Sequence, residues 1–168
     1  EGWIQVLAPG PITLDCSDAV DQNFINYEER GGCTYTPGYW KTHSKYGPAP
    51  YDEIWGMLND RDGDTIDEDE DELFYSNNRG FTWHSIMNLS AKEAKAFGVK
   101  WNKVQTYQHL AFHYVAAYLN SINPDNGALP QEIQDLLADA VTIFMNNPTL
   151  EIPKNEQAEA VEITDVLA

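Results

Sequence analysis

The sequence predicts a mainly α-helical fold: a compact helical domain with a short extended N-terminal arm and a calcium-binding loop. Three observations predict it. Apolar residues recur every three or four positions over 102–121 and again over 130–145, the spacing of one helix face. Ser90-Ala91-Lys92-Glu93 has the form of a capping box, in which two side chains satisfy the free amides of a helix start. Strand-like alternation is confined to residues 1–15. With 168 residues, of which 42% are hydrophobic and 12% aromatic, the chain can fill one sizeable core.

The elements follow in order. Trp3, Ile4, Val6, Leu7, Ile12 and Leu14 alternate imperfectly around Pro9-Gly10-Pro11 and read as one or two extended pieces. Residues 1–32 form the arm, and 33–168 the helical domain with its acidic loop at 59–72. From Tyr51 the pattern turns helical, with Ile54, Trp55 and Leu58 on one face. Phe74-Tyr75 and Phe81-Thr82-Trp83 flank a turn signal, Ser76-Asn77-Asn78-Arg79-Gly80. Ser90 opens a helix of about two turns that Gly98 stops. The longest helix covers about 102–121, on Val104, Tyr107, Ala111, Tyr114, Tyr118 and Ile122. After a turn at 123–127, Pro130 serves as a first helical residue. Ile133, Leu136, Leu137, Ala140, Val141, Phe144 and Met145 then line an amphipathic face that Asn146-Asn147-Pro148 ends. A last helix spans roughly 156–166, with Val161, Ile163 and Val166 giving it modest periodicity.

Residues 60–72 hold nine carboxylates in thirteen positions. A hard dication takes six to eight oxygens, which alternate acids around a tight turn supply. Asp60, Asp62 and Asp64 converge while Gly63 lets the backbone bend, Ile66 offers its carbonyl, and Glu68 and Asp71 close the set. The spacing resembles the loops of thrombospondin type 3 repeats and bacterial secreted calcium loops more than an EF-hand, which requires Gly where Thr65 stands. The competing reading is a solvated acidic linker. Asp67, Asp69, Glu70 and Glu72 are surplus to one ion.

The formal net charge is −17, of which residues 60–72 supply −8 (nine acids against Arg61), leaving −9 elsewhere. Such a field repels phosphate backbones and anionic lipid, which argues against nucleic-acid binding and a membrane-surface role. No run of 18 apolar residues exists, so no membrane insertion is expected. Cys16 and Cys33 lack zinc-type spacing and are expected to form a disulfide, closing about 18 residues and stabilising by roughly 3 kcal/mol. The chain begins at Glu1 without Met, as one that has lost a signal peptide does, and equally as a trimmed one does. Calcium loop, paired cysteines and missing Met together suggest a secreted or cell-surface location.

Cys33-Thr34-Tyr35-Thr36-Pro37-Gly38-Tyr39-Trp40-Lys41-Thr42-His43 is dense in aromatic, Gly and cationic residues. It resembles a bacterial secreted or cell-surface domain family marked by Cys-Thr-x-Thr-x-Gly-Tyr-Trp-Lys-x-His. That family also carries an apolar helix ending in Ala-Ala-x-Leu-Asn, here within Tyr114-Val115-Ala116-Ala117-Tyr118-Leu119-Asn120. The resemblance covers roughly 33–120 with gaps and implies an exported protein; it brings no catalytic residues. The family places His-Gln before the Tyr of the helix motif where this chain has Phe112-His113, so no ligand role is carried to that position. Three readings of the segment stay open: a latch packed under the disulfide, a glycan- or peptide-binding platform on Tyr39, Trp40, Lys41 and His43, and catalysis through Lys41 or His43.

His109 and His113 stand one helical turn apart, a spacing able to chelate a transition metal, with His43 or His84 as further ligands. The intervening Leu-Ala-Phe lacks the Glu that metalloproteases place after the first His, and two edge imidazoles bonded to neighbours are the simpler reading. The chain has no Gly-x-Ser-x-Gly elbow and no Gly-rich phosphate loop. The expected function is therefore that of a non-catalytic extracellular structural or cell-surface protein, a self-assembling filament or surface-layer subunit stabilised by calcium. An apolar arm either adds to a neighbour's sheet or folds back on its own domain. The alternatives are a glycan- or peptide-binding module on Tyr39, Trp40 and Trp83, and a His-based metalloenzyme.

Overall fold

The computed structural model describes residues 34–58, 72–75 and 77–168. The arm, Cys16 and Cys33, and the calcium ligands assigned to Asp60, Asp62, Asp64, Ile66, Glu68 and Asp71 lie outside the described residues. What is described is mainly helical: α1 (Pro37–Thr42), a 3-10 turn (Glu53–Met57), α2 (Trp83–Asn88), α3 (Ala91–Ala96), α4 (Trp101–Ile122), α5 (Gln131–Asn146) and α6 (Gln157–Leu167). The element after Tyr51 is thus a 3-10 turn, started by Asp52 accepting from the Ile54 amide at 3.0 Å.

α4 organises the domain, packing against each of the other five helices. The expected face of Val104, Tyr107, Ala111 and Tyr114 is buried, and so are Leu110, Val115 and Leu119 on other sides, because α4 is covered from several directions. Tyr118 and Ile122 are only half-buried. On α5 the buried set is Leu137, Ala140, Ile143 and Phe144, whereas Met145 is 54% exposed. Pro130 caps α5 and does not begin it, a shift of one residue. On α6 Ile163 and Ala160 face inward, while Val161 and Val166 are exposed.

Two short helices carry no periodic signal and are nucleated by their caps. Thr36 accepts from the Tyr39 amide at 3.2 Å with Pro37 in the first turn, so the aromatic motif enters α1 directly. Thr82 and Ser85 form a capping box at α2, as Ser90 and Glu93 do at α3. Gly98 ends α3 with φ +73°, where a side chain would be strained. Gly47 answers to a different constraint: a Cβ there would lie 1.9 Å from the Thr42 carbonyl oxygen, so the chain after α1 can fold back only at a glycine. Gly38 is under no such constraint, since a Cβ there would lie at ordinary contact distance, 3.7 Å from Thr36 Oγ1.

The turn at 77–80 is knitted by one buried side chain. Asn77 donates to the Phe74 and Phe81 carbonyls at 2.7 Å each and accepts from the Phe81 amide at 2.9 Å. This brings Leu73 opposite Thr82 in a single antiparallel bridge and inserts Phe74 among Trp83, Tyr107, Tyr114 and Phe144.

Asn120, in the last turns of α4, fastens residues 35–40 to the core. Its Oδ1 accepts from the Tyr35 amide at 2.9 Å and the Trp40 indole at 3.3 Å, and its Nδ2 donates to the Tyr35 carbonyl at 2.8 Å. Replacing Asn120 with Ala strands these buried groups, so we expect a loss of about 2–4 kcal/mol in urea unfolding. Gln131→Ala, which removes an exposed bond to Asp135, should stay within about 0.5 kcal/mol. Equal small effects would show that the fork does not hold the segment.

Candidate functional site

The aromatic segment begins with a three-ring stack. Tyr39 lies between Tyr35, at 3.9 Å and 12°, and His43, at 3.7 Å and 17°. The Tyr39 hydroxyl donates to Asp52 at 2.7 Å. Burial, then the Asp52 hydrogen bond and charge, push the Tyr39 phenol far above its ordinary value and keep it neutral. His43 Nδ1 lies 2.9 Å from the Tyr39 carbonyl and 3.1 Å from Thr42 Oγ1, bonds that terminate α1. Tyr39 is therefore held by a ring on each face and by Asp52 at its hydroxyl.

Trp40 and Trp83 have no exposed surface. The platform expected on Tyr39, Trp40 and Trp83 does not form, because two of its three rings are core: Trp40 meets Trp55 edge to face, and the Trp55 indole donates to the Trp40 carbonyl at 3.2 Å. Of the assigned ligand-binding residues, Lys41 is exposed, Tyr39 and His43 are half-buried, and Trp40 is closed to any ligand. The cation placed over a ring is Lys45, 5.6 Å from the Tyr46 centroid.

The four histidines serve separate places. His43 ends α1, His84 lies on α2 with Nε2 3.0 Å from the Asn88 amide, and His109 and His113 lie on α4. Among the described residues no three His, Cys, Asp or Glu side chains converge to hold a metal ion. A shallow cleft of about 170 Å³ between α4 and α6 sets His109 beside Thr164 and Asp165.

The more open concavity, of about 470 Å³, lies between α4 and α5 and escaped the sequence reading. Tyr75, Tyr114 and Tyr118 line one side, Leu129, Leu137 and Val141 another, and no lining residue carries a charge. The Tyr75 and Tyr114 hydroxyls are hydrogen-bonded to each other, and Tyr75 is held at φ +47°. Residues 75 and 128–141 come from separate elements, so only the fold shows that they meet. No helix among the described residues is long and apolar enough to cross a membrane.

No protein-family model matches this chain, and no curated protein or solved structure does either.

His113 gives this region a pH dependence. Burial and the neighbouring His109 lower its pKa, against an opposing pull from Asp165, and its Nδ1 is buried without a hydrogen-bond partner. A depressed folded pKa means that the unfolded chain binds the extra proton. The stability linked to His113 is thus fully present above its unfolded value of about 6.5 and is lost as pH falls through the depressed folded value. Thermal melts between pH 7.5 and 5 should show a fall in wild type that His113→Gln reduces; identical slopes would dismiss the assignment.

Proposed function

We propose that this chain is a non-catalytic extracellular structural or cell-surface protein, a self-associating filament or surface-layer subunit stabilised by calcium in its acidic run. The observation that carries the reading is the spacing Asp60-x-Asp62-Gly63-Asp64-x-Ile66-x-Glu68-x-x-Asp71, which places six oxygen donors in the order a calcium loop uses. The run is flanked by anchors on the core. Leu58 before it is buried, and Glu72, its last residue, is buried with its carbonyl accepting from the Trp83 amide at 3.0 Å. A loop with fixed ends loses less entropy on closing around an ion than a free tail does. Cys16–Cys33 pairing and export belong to the same proposal.

Calcium at a hundredfold excess over its dissociation constant should add about 2.7 kcal/mol to stability, read as a higher melting temperature that a chelator reverses. Asp62→Asn with Asp64→Asn should abolish the gain. Unchanged melting together with no calcium by elemental analysis would end the calcium reading. Sedimentation of the full chain with calcium and with chelator tests assembly separately.

A second reading, a glycan- or peptide-binding module, is favoured by the uncharged tyrosine-lined groove between α4 and α5 in place of the Trp40 platform. Ala138 is an exposed lining residue, so Ala138→Arg should fill the groove without disturbing the core. It should abolish binding to any neutral glycan or peptide that a screen against wild type finds; retained binding would exclude the groove.

A further inference from the structure

The strongly acidic chain reverses its charge locally at α3 and the start of α4. Residues 90–103 carry Lys92, Lys95, Lys100 and Lys103 against Glu93 alone, a local +3 in a chain of −17. α3 supplies the first pair, the Gly98 turn redirects the chain, and the start of α4 supplies the second pair. All four lysines are exposed, and Phe97 between them is 50% exposed.

Three features set these charges apart. Glu93, the one acid nearby in sequence, is spent on its cap: its Oε2 accepts from both the amide and the hydroxyl of Ser90 at 2.8 Å. Among the described residues none of the four lysines is held by an ion pair. The first turn of α4 has no acidic residue, and its N-cap, Lys100, makes no side-chain capping bond. Cations at the positive end of a 22-residue helix oppose its macrodipole and lower stability.

At the other end of α4, about 33 Å away at 1.5 Å per residue, the charge has the opposite sign. Asp125 follows the helix directly, and Glu132 and Asp135 stand in the first turns of α5, all three exposed. No Lys or Arg occurs between Lys103 and Lys154.

We propose that the α3–α4 elbow is a docking surface for the acidic tip of a second copy of this chain, formed by its Asp125, Glu132 and Asp135. The proposal rests on the self-association reading and gives it a geometry. Two copies of net charge −17 repel in most orientations, so a basic patch favours one that brings it against acid. Phe97 supplies an apolar anchor inside the charged rim. Because elbow and tip are different surfaces at opposite ends of α4, the contact is head-to-tail and can repeat into a filament or close into a ring.

Sedimentation velocity of the full chain at low salt with calcium tests this. One variant carries Lys92→Gln, Lys95→Gln, Lys100→Gln and Lys103→Gln; the other carries Asp125→Asn, Glu132→Gln and Asp135→Asn. Each alone should associate about tenfold or more weakly than wild type, with circular dichroism melts showing both folded. Mixed in equal amounts they should give dimers and nothing larger, since one keeps its acidic tip and the other its elbow. A wild type that stays monomeric fails the self-association reading and the docking proposal with it. A wild type that associates while the lysine variant does so equally well overturns the elbow alone. An acid variant that associates like wild type, with the lysine variant losing binding to heparin or polyglutamate, assigns the elbow to a foreign polyanion and also overturns the proposal.

Discussion

The carboxamide of Asn120 is the interaction on which the rest of the N-terminal half depends. A primary amide has both donors and an acceptor on one rigid plane, so it can satisfy both backbone groups of a passing chain as a strand partner would. Here it takes the amide and carbonyl of Tyr35 and has its acceptor left for the Trp40 indole. With Trp40 placed, its carbonyl receives the Trp55 indole, and with Tyr39 placed, its hydroxyl reaches Asp52, which starts the 3-10 turn. A buried segment without regular pairing would otherwise leave several polar groups unmet, at about 1–3 kcal/mol each. The aromatic motif and the Ala-Ala-x-Leu-Asn motif are therefore one physical unit joined across 85 positions of sequence.

Around this unit the core is unusually aromatic, and aromatic packing explains its shape. Phe74 sits edge-on to Trp83, Tyr107, Tyr114 and Phe144, so α2, α4 and α5 meet at one ring. Edge-to-face contacts need defined angles, which adds orientation to burial. The cost appears at the hydroxyls. Tyr75 and Tyr114 satisfy each other, while the Tyr107 hydroxyl is buried with no hydrogen-bond partner and its phenol is held strongly neutral by burial. The same frame fixes Leu58 and Glu72, so whatever the acidic run does, it does between rigid ends.

Helices with a long apolar period were legible in the sequence. α3, α4, α5 and α6 stand within one or two residues of their expected limits, because caps at Ser90 and repeats on Val104, Tyr107 and Ala140 are local signals. α1 and α2 were not, since a six-residue helix has no period to read and only Thr36-Pro37 and Thr82-x-x-Ser85 announce them. Trp40 and Trp83 looked available for binding because a lone aromatic in an irregular stretch carries no sign of which way it faces. Asn120 looked like the tail of a weak motif; its partner lies at the far end of the described chain. The tyrosine groove was hidden for the same reason, since Tyr75 and Val141 become neighbours only after α5 folds back on α4.

The charges divide into those that follow the helix dipoles and those that do not. Glu132 and Glu159 stand in first turns, and Lys41 and Lys95 in last turns, each on the favourable side. Asp165, close to the C-terminal end of α6, stands on the unfavourable side, beside His109 in the cleft between α4 and α6. Lys100 and Lys103 also stand on the unfavourable side, and no acid answers them in the first turn of α4. In a chain with 27 acids and 10 bases, two of those bases oppose the dipole of the helix that organises the fold. The dipole of α4 gives no reason for that placement, whereas an acidic surface brought against the elbow would remove its cost.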